Sequence, residues 1–272
     1  MSTQPVDPAL AAKHRAMWAS GDYPVIVTEL VASMGPVLVE ATNIGPDDRV
    51  LDVAAGTGCV AISAAQAGAS VVASDLTPEL LAAGQLMAAQ RGVSLEWREA
   101  NAEALPFADN EFDAVVSSIG VMFAPHHQAA ADELVRVCKP GGRIGVISWT
   151  PEGFIGQMFA VMKPFVPAPP SGAQPPPLWG SEGHVRALLS DRVDGITAHR
   201  GMLTVSQFST GAAFRDYFKA NYGPTISAYR NIESDPGRVD ALDAALAELG
   251  DRELAGASTM QWEYLLVTAR KG

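Results

Sequence analysis

Two acids and a glycine turn carry the chemistry that is easiest to read from this chain. Asp52 lies in the short apolar run Val50-Leu51-Asp52-Val53, and Gly56-Thr57-Gly58 follows it. Cys59 to Ala67 is small and helix-compatible, and Ala69-Ser70-Val71-Val72-Ala73-Ser74 is a second strand-like run that ends at Asp75. Glycines without a Cβ let the backbone approach a ligand closely at a helix start. An acid at the end of the second strand of a βαβ unit is placed to accept hydrogen bonds from a ribose diol. The stretch therefore calls for a nucleoside-bearing ligand.

Gly56-Thr57-Gly58-Cys59-Val60-Ala61 satisfies the dinucleotide fingerprint literally. That fingerprint does not ask for an acid in the preceding strand, whereas an acceptor near an α-ammonium group gives Asp52 a purpose. Leu51 to Gly58 resembles the first motif of class I S-adenosylmethionine (SAM) methyltransferases. Three further stretches resemble the UbiE-like branch of that family, in the expected order. They are the adenine-side loop Asn101-Ala102-Glu103-Ala104-Leu105-Pro106-Phe107, the fourth strand Phe112 to Ser118, and Glu133 to Gly142, a helix end and turn before a fifth strand at 143–149. Two positions depart from the pattern. Ala54 stands where many members have a glycine, and Asn101 where many have an aspartate. Asn still accepts through its carbonyl oxygen, but without charge assistance.

The resemblance covers residues 45–150 and implies a doubly wound, seven-stranded, mostly parallel α/β sheet of the Rossmann-like methyltransferase type. It implies SAM as cofactor, held by Asp52, Ala54, Gly56, Thr57, Gly58, Asp75, Leu76, Asn101, Ala102 and Ser118. A nicotinamide-dependent oxidoreductase and a non-catalytic SAM-binding regulatory protein are the rival readings. The Lys139 to Gly142 turn and the long apolar run Gln261 to Ala269 speak against the oxidoreductase.

At 272 residues, 48% hydrophobic and 18% charged, the chain has the composition of a globular protein with one sizeable core. A net charge of −11 argues against nucleic acid and anionic membrane surfaces as partners. No apolar run suggests membrane insertion, and Met1 to Pro8 is polar, without a signal pattern. Cys59 and Cys138 have no metal spacing and fit two reduced thiols in a cytoplasmic protein. No metal is expected, and oligomeric state is not legible.

The elements that must position these residues follow from periodicity and punctuation. Residues 9–20 and 24–42 read as two helices joined through Gly21 to Pro24, giving an N-terminal cover over residues 1–44. In the core, strands are expected at 49–53, 70–74, 94–98, 113–118 and 143–149, with helices at 58–67, 78–91 and 127–138; Thr77-Pro78 is a helix start. Residues 151–259 read as a strand at 196–208 and a helical lid, and 260–272 as the last strand. Within them, Lys163 to Leu178 holds seven of the 19 prolines and reads as extended. Helices are expected at 154–162, 181–189 and 237–249, with an amphipathic stretch at 212–229. The family's last two strands form a hairpin; here some fifty residues separate them, so 209–259 should fold over the carboxyl edge of the sheet.

Methyl transfer asks the protein to position an acceptor, exclude water and, for some acceptors, remove a proton. His126 and His127 lie at a helix start, where one of them, His126 foremost, is a candidate base for a hydroxyl acceptor, with a solvated loop or cap pair as the competing role; His14 and Tyr23 are alternatives from the cover. Trp18, Met122, Phe123, Trp149, Phe218 and Tyr222 are candidate walls of an acceptor pocket, each with ordinary core packing as the competing role. His184 and His199 receive no role. The expectation is a methyltransferase acting on a small, largely hydrophobic acceptor at a hydroxyl or carboxylate oxygen, with C-methylation of a quinone-like ring as the alternative.

Overall fold

The computed structural model describes residues 8–272; the polar stretch 1–7 lies outside the described residues. Seven strands form one sheet in the order β3-β2-β1-β4-β5-β7-β6. They are β1 (Arg49–Val53), β2 (Ser70–Asp75), β3 (Glu96–Glu99), β4 (Phe112–Ser118), β5 (Cys138–Trp149), β6 (Val193–Val205) and β7 (Met260–Lys271). The first five are parallel, and β7 runs antiparallel to both β5 and β6. The chain is therefore α/β with the mostly parallel, doubly wound sheet that the motifs imply. Val50, Leu51, Val53, Val115, Val116, Ile144 and Ile147 are buried, as central parallel strands covered on both faces must be.

Strand order reverses between β1 and β4. The loops leaving their carboxyl ends diverge there and open a crevice. Helices α4 (Cys59–Gln66), α5 (Pro78–Gln90) and α6 (His127–Val137) make the crossovers. Between β6 and β7 the chain inserts α9 (Gly211–Asn221), α10 (Gly223–Ile232) and α11 (Pro236–Glu253). The two strands still pair along their length, from Val193↔Lys271 to Val205↔Met260. The hairpin thus survives with a helical insertion at its tip.

Several boundaries differ from the sequence reading, each for a local reason. The expected helix at 24–42 is broken into α2 (Tyr23–Ile26), a π turn (Val27–Val31) and α3 (Met34–Ala41). Pro36 cannot continue a helix through residue 32, because its ring opposes that carbonyl; it is tolerated in the first turn of α3. The Cys59 thiol lies 3.7 Å from the Val31 carbonyl and 3.6 Å from that of Ala32, at the break.

The turn at Lys139 to Gly142 is absorbed into a bulged start of β5, where the pairing jumps from Phe112↔Cys138 to Ala114↔Arg143 and Gly141 takes φ 73°. Strand β3 begins at Glu96, two residues later than expected. The amphipathic stretch 212–229 is two helices, because Tyr222 is extended and Gly223-Pro224 starts α10 afresh. The proline-rich segment is bounded by 3₁₀ turns at Lys163–Phe165 and Pro176–Gly180 rather than extended throughout.

Between β5 and β6 lie α7 (Phe154–Met162) and α8 (Glu182–Leu189). Helix α1 (Pro8–Trp18) has no buried residue and lies over the crevice. Both cysteines are free thiols. Among the described residues no single helix is long and apolar enough to cross a membrane; the bent pair Tyr23–Val31 and Met34–Ala41 has the length and composition, but buries Ile26, Leu30, Met34 and Leu38 in the core.

Candidate cofactor and acceptor site

A cavity enclosing about 1580 Å³ of free space, its open mouth included, runs across the carboxyl ends of the sheet. Strand order divides its lining. The β1-β2-β3 half is acidic and polar; the β4-β5-β7 half is aromatic.

In the acidic half, Asp52 is 1% exposed and its Oδ2 accepts the Ala61 N–H at 2.9 Å, in the first turn of α4. Its Oδ1 is buried with no hydrogen-bond partner, as is the Thr57 hydroxyl oxygen. Burial is the main cause that pushes the Asp52 carboxyl up to about 8, against the Ala61 hydrogen bond, with Asp75 adding to the rise. Asp75 ends β2 with Oδ2 accepting the Gly56 N–H and Oδ1 the Thr77 N–H, both at 2.8 Å. Burial raises its pKa as well, opposed by those bonds. Thr77 stands at the start of α5 but its hydroxyl makes no capping bond.

Gly56 takes φ 56°, and a Cβ there would meet nothing, so its backbone faces open cavity. Gly58 has a different job. It does not line the cavity; its φ of 81° already favours glycine, and a Cβ on it would also lie 2.6 Å from the Trp97 ring. Asn101 uses its Oδ1 to accept the Glu103 N–H at 2.8 Å, closing a tight turn whose carbonyl keeps one lone pair. Glu133 and Arg136 anchor the same loop. Leu105 N–H donates to Glu133 Oε2 at 2.6 Å, and the Arg136 guanidinium donates to the carbonyls of Leu105 and Phe107. Two stretches matched separately in the sequence are thus one hydrogen-bonded assembly.

The aromatic half is a continuous arc of rings. Phe123 meets Trp18 (4.7 Å between centroids), Trp18 meets Tyr23 (5.8 Å), and Tyr23 meets Tyr222 (6.3 Å). Tyr222 meets Phe218 (5.4 Å), Phe218 meets Trp262 (5.9 Å), and Trp262 meets Trp149 (5.9 Å). All of these rings line the cavity. Desolvation raises the Tyr23 and Tyr222 hydroxyls above the usual tyrosine value, so both stay protonated. The Tyr23 hydroxyl is buried beside the Gly223 backbone.

The crevice between the halves is strained. Ala54 and Ile119 take φ 53° and 62°, a conformation costly for any side chain and most of all for a β-branched one. Ser117 bridges them: its Oγ donates to the Val53 carbonyl at 2.6 Å and accepts the Val121 N–H at 2.9 Å.

Of the other expected site residues, Leu76, Ala102 and Ser118 line the cavity, as do His14, Tyr23 and His126. Met122 does not; it is fully buried in the core, because the Val121–Phe123 3₁₀ turn sends it away from its neighbour Phe123. Of the lid aromatics only Phe218 and Tyr222 reach the cavity, while Phe214 and Trp179 are fully buried. His126 is held by Glu103, whose carboxylate accepts from its backbone N–H at 2.7 Å and from Nδ1 at 3.2 Å. His127 is not solvated: it is fully buried, with Nδ1 3.0 Å from Nε2 of His184, which sequence pattern left unconnected.

Sequence reasoning missed the lining residues Ile26, Leu30 and Met34, although their i, i+4, i+8 spacing was in view, and gave Glu103 no role.

A doubly wound sheet with β7 inserted antiparallel, an acidic nucleoside-type pocket at the β1/β4 switch point and an adjoining apolar chamber defines a class I SAM-dependent methyltransferase, and the chain belongs to that family. A methyltransferase domain model matches residues 51–146. An uncharacterized protein of Mycobacterium tuberculosis is 56% identical over 265 residues, covering 97% of this chain and 96% of that one. Demethylmenaquinone methyltransferase of Renibacterium salmoninarum is 40% identical over 130 residues, covering 46% of this chain and 53% of that enzyme. Among solved structures, the YcgJ protein of Bacillus subtilis shares the fold, with a TM-score of 0.59 at 18% identity, covering 87% of this chain and 97% of that one. The methyl donor is SAM. The cavity suits it: a buried acid with one unpartnered oxygen, a buried unpartnered hydroxyl and a glycine turn open to the cavity are what an amino-acid head and a ribose require.

Proposed function

We propose that this enzyme moves the SAM methyl group to an oxygen, hydroxyl or carboxylate, of a small and largely hydrophobic acceptor. The arc of rings beside the acidic half carries this reading. It offers a desolvated, shaped chamber next to the place where the sulfonium methyl would be presented, and methyl transfer needs little else from a protein. In this reading Asp52 takes the ammonium of the donor and Thr57 its carboxylate, Asp75 the ribose diol, and Leu76, Asn101 and Ala102 the adenine. Ala54, Gly56 and Ser118 border the sulfur. Trp18, Phe123, Trp149, Phe218 and Tyr222 hold the acceptor. The donor supplies an activated methyl; the chain supplies alignment and dryness.

Calorimetric titration with SAM, S-adenosylhomocysteine and NADH tests the assignment. Micromolar binding of the first two and none of the third is expected; binding of NADH alone would overturn it. A second reading, C-methylation of a quinone-like ring within the UbiE-like branch, draws support from the partial likeness to demethylmenaquinone methyltransferase. NMR of the methylated product separates a methoxy group from a ring methyl. Turnover with any acceptor would dismiss a purely regulatory SAM-binding role.

A further inference from the structure

Resting on the methyltransferase reading, we infer that the acceptor is an uncharged hydroxyl compound with an apolar body, and that His14 takes its proton during transfer. The first half of the inference comes from what the cavity lacks. Among the described residues that line it, the ionisable acids are Asp52, Asp75 and Glu103, and none is Lys or Arg. A carboxylate or phosphate ester entering this space would lose its water with no cation to replace it, and would face three acids. Asp52 and Asp75 lie in the β1-β2-β3 half and Glu103 is engaged by the backbone N–H and Nδ1 of His126, so an ammonium acceptor finds no unengaged counter-ion among the rings either. What the aromatic half offers is neutral: the rings of Tyr23 and Tyr222 and the indoles of Trp18 and Trp149, suited to a neutral acceptor on an apolar skeleton.

The second half comes from the face of α1. Leu10, Ala11, His14 and Trp18 line the cavity together, at helical spacing, so His14 stands one turn from the ring that opens the aromatic arc. Its imidazole makes no hydrogen bond among the described residues, and burial lowers its pKa, leaving a neutral ring with a free lone pair. His126 is less free, since Glu103 takes both its backbone N–H and Nδ1. Tyr23 and Tyr222 are too weakly acidic to be present as phenolates. The charged group that faces His14 is Glu103, with His126 behind it; Arg15, next to it on α1, turns to Glu79 and Glu99. In the step, the acceptor oxygen bonds to the methyl carbon as the C–S pair returns to sulfur. The hydroxyl proton passes to a ring nitrogen of His14, and the imidazolium releases it to water.

The test uses matched triads of hydroxyl, carboxylate and primary ammonium compounds on phenyl, naphthyl and decyl skeletons. Each is titrated calorimetrically into protein saturated with S-adenosylhomocysteine, then assayed with SAM by mass spectrometry. In the best-binding triad the hydroxyl compound should bind about tenfold or more tightly than its charged counterparts, because only they leave a desolvated charge unpaired. A carboxylate or ammonium compound binding as well, or no hydroxyl compound binding, overturns the acceptor class. His14→Gln should keep S-adenosylhomocysteine affinity and lower turnover of the hydroxyl acceptor by about 100-fold near neutral pH. The loss should shrink as pH approaches the acceptor's own ionisation; an unchanged turnover, or a loss that is the same at every pH, overturns the role of His14. Helix α1 buries no residue, so the variant will fold. If the wild-type protein fails to bind S-adenosylhomocysteine at all, the methyltransferase reading falls, not merely this refinement.

Discussion

The carboxylate of Asp75 and the backbone of Gly56 are joined directly: Oδ2 accepts the Gly56 N–H at 2.8 Å, so the acid ending β2 holds the turn that follows β1. One side chain thereby shapes the glycine turn and presents its remaining lone pairs to the cavity.

Asp75→Ala should weaken S-adenosylhomocysteine binding by about 10- to 100-fold. Hydrogen bonds to a charged group are worth roughly 1.5–3 kcal/mol, and the turn loses its tether as well. Thermal stability should fall too, because the Gly56 and Thr77 N–H groups lose their acceptor. Calorimetry on the variant is decisive: wild-type affinity would sink the ribose assignment.

Asp52 makes donor binding pH-dependent. Burial pushes its folded pKa up to about 8, above the roughly 3.9 of an unfolded aspartate. Between those values the folded chain holds a proton that the unfolded chain has released, so Asp52 erodes the stability of the ligand-free protein as pH rises from about 4 toward 8. Pairing with an ammonium group favours the ionised form, so binding near pH 7 should release a proton. Asp52→Asn should abolish that release, weaken SAM binding and raise the melting temperature at pH 8. Titrations in buffers of different ionisation enthalpy measure the proton directly; identical release by the variant would remove Asp52 from the donor site.

The core and its acids were legible in the sequence because local rules and tertiary fold agree there. Asp52, Gly56 and Asp75 sit where strand, turn and strand end put them, whatever the rest of the chain does. Met122 and Gly58 show where that legibility stops. A residue in a 3₁₀ turn points to core or cavity according to a rotation that no periodicity records, and Gly58, whose left-handed φ is a local demand, also packs against Trp97, which lies far along the chain. His127 and His184 meet only because α6 and α8 pack together, and residues 57 apart carry no pattern that announces it. The break at Ala32 was visible in principle through Pro36, but the apolar spacing on either side is continuous enough to conceal it.

The His127–His184 contact predicts acid lability. Burial first, and His184 second, bring the His127 pKa down to about 4, against roughly 6.5 in an unfolded chain. The unfolded state then takes up a proton that the folded state refuses, so stability should fall as pH drops from about 6.5 toward 4. His127→Gln should start lower at neutral pH, having lost its partner, yet show a flatter acid limb. Melting temperatures of both proteins across that range give the comparison, and parallel curves would contradict the assignment.

Ala54 and Gly120 press on each other across the crevice, and substitutions there should have opposite signs. Ala54 holds φ 53°, which costs a side chain about 1–2 kcal/mol. A glycine would relieve that cost while adding about 0.5–1 kcal/mol of chain entropy to the unfolded state. Ala54→Gly should therefore stabilise the protein by up to about 1 kcal/mol, a rise of a few degrees in melting temperature, with donor affinity preserved. Gly120 has no such slack: a Cβ there would lie 2.1 Å from the Ala54 carbonyl oxygen, inside any tolerable contact. Gly120→Ala must part the loops after β1 and β4, and should cost stability and donor affinity together. Thermal melts with calorimetry on both variants check this; destabilisation by Ala54→Gly would mean that the alanine methyl contributes packing worth more than the strain it imposes.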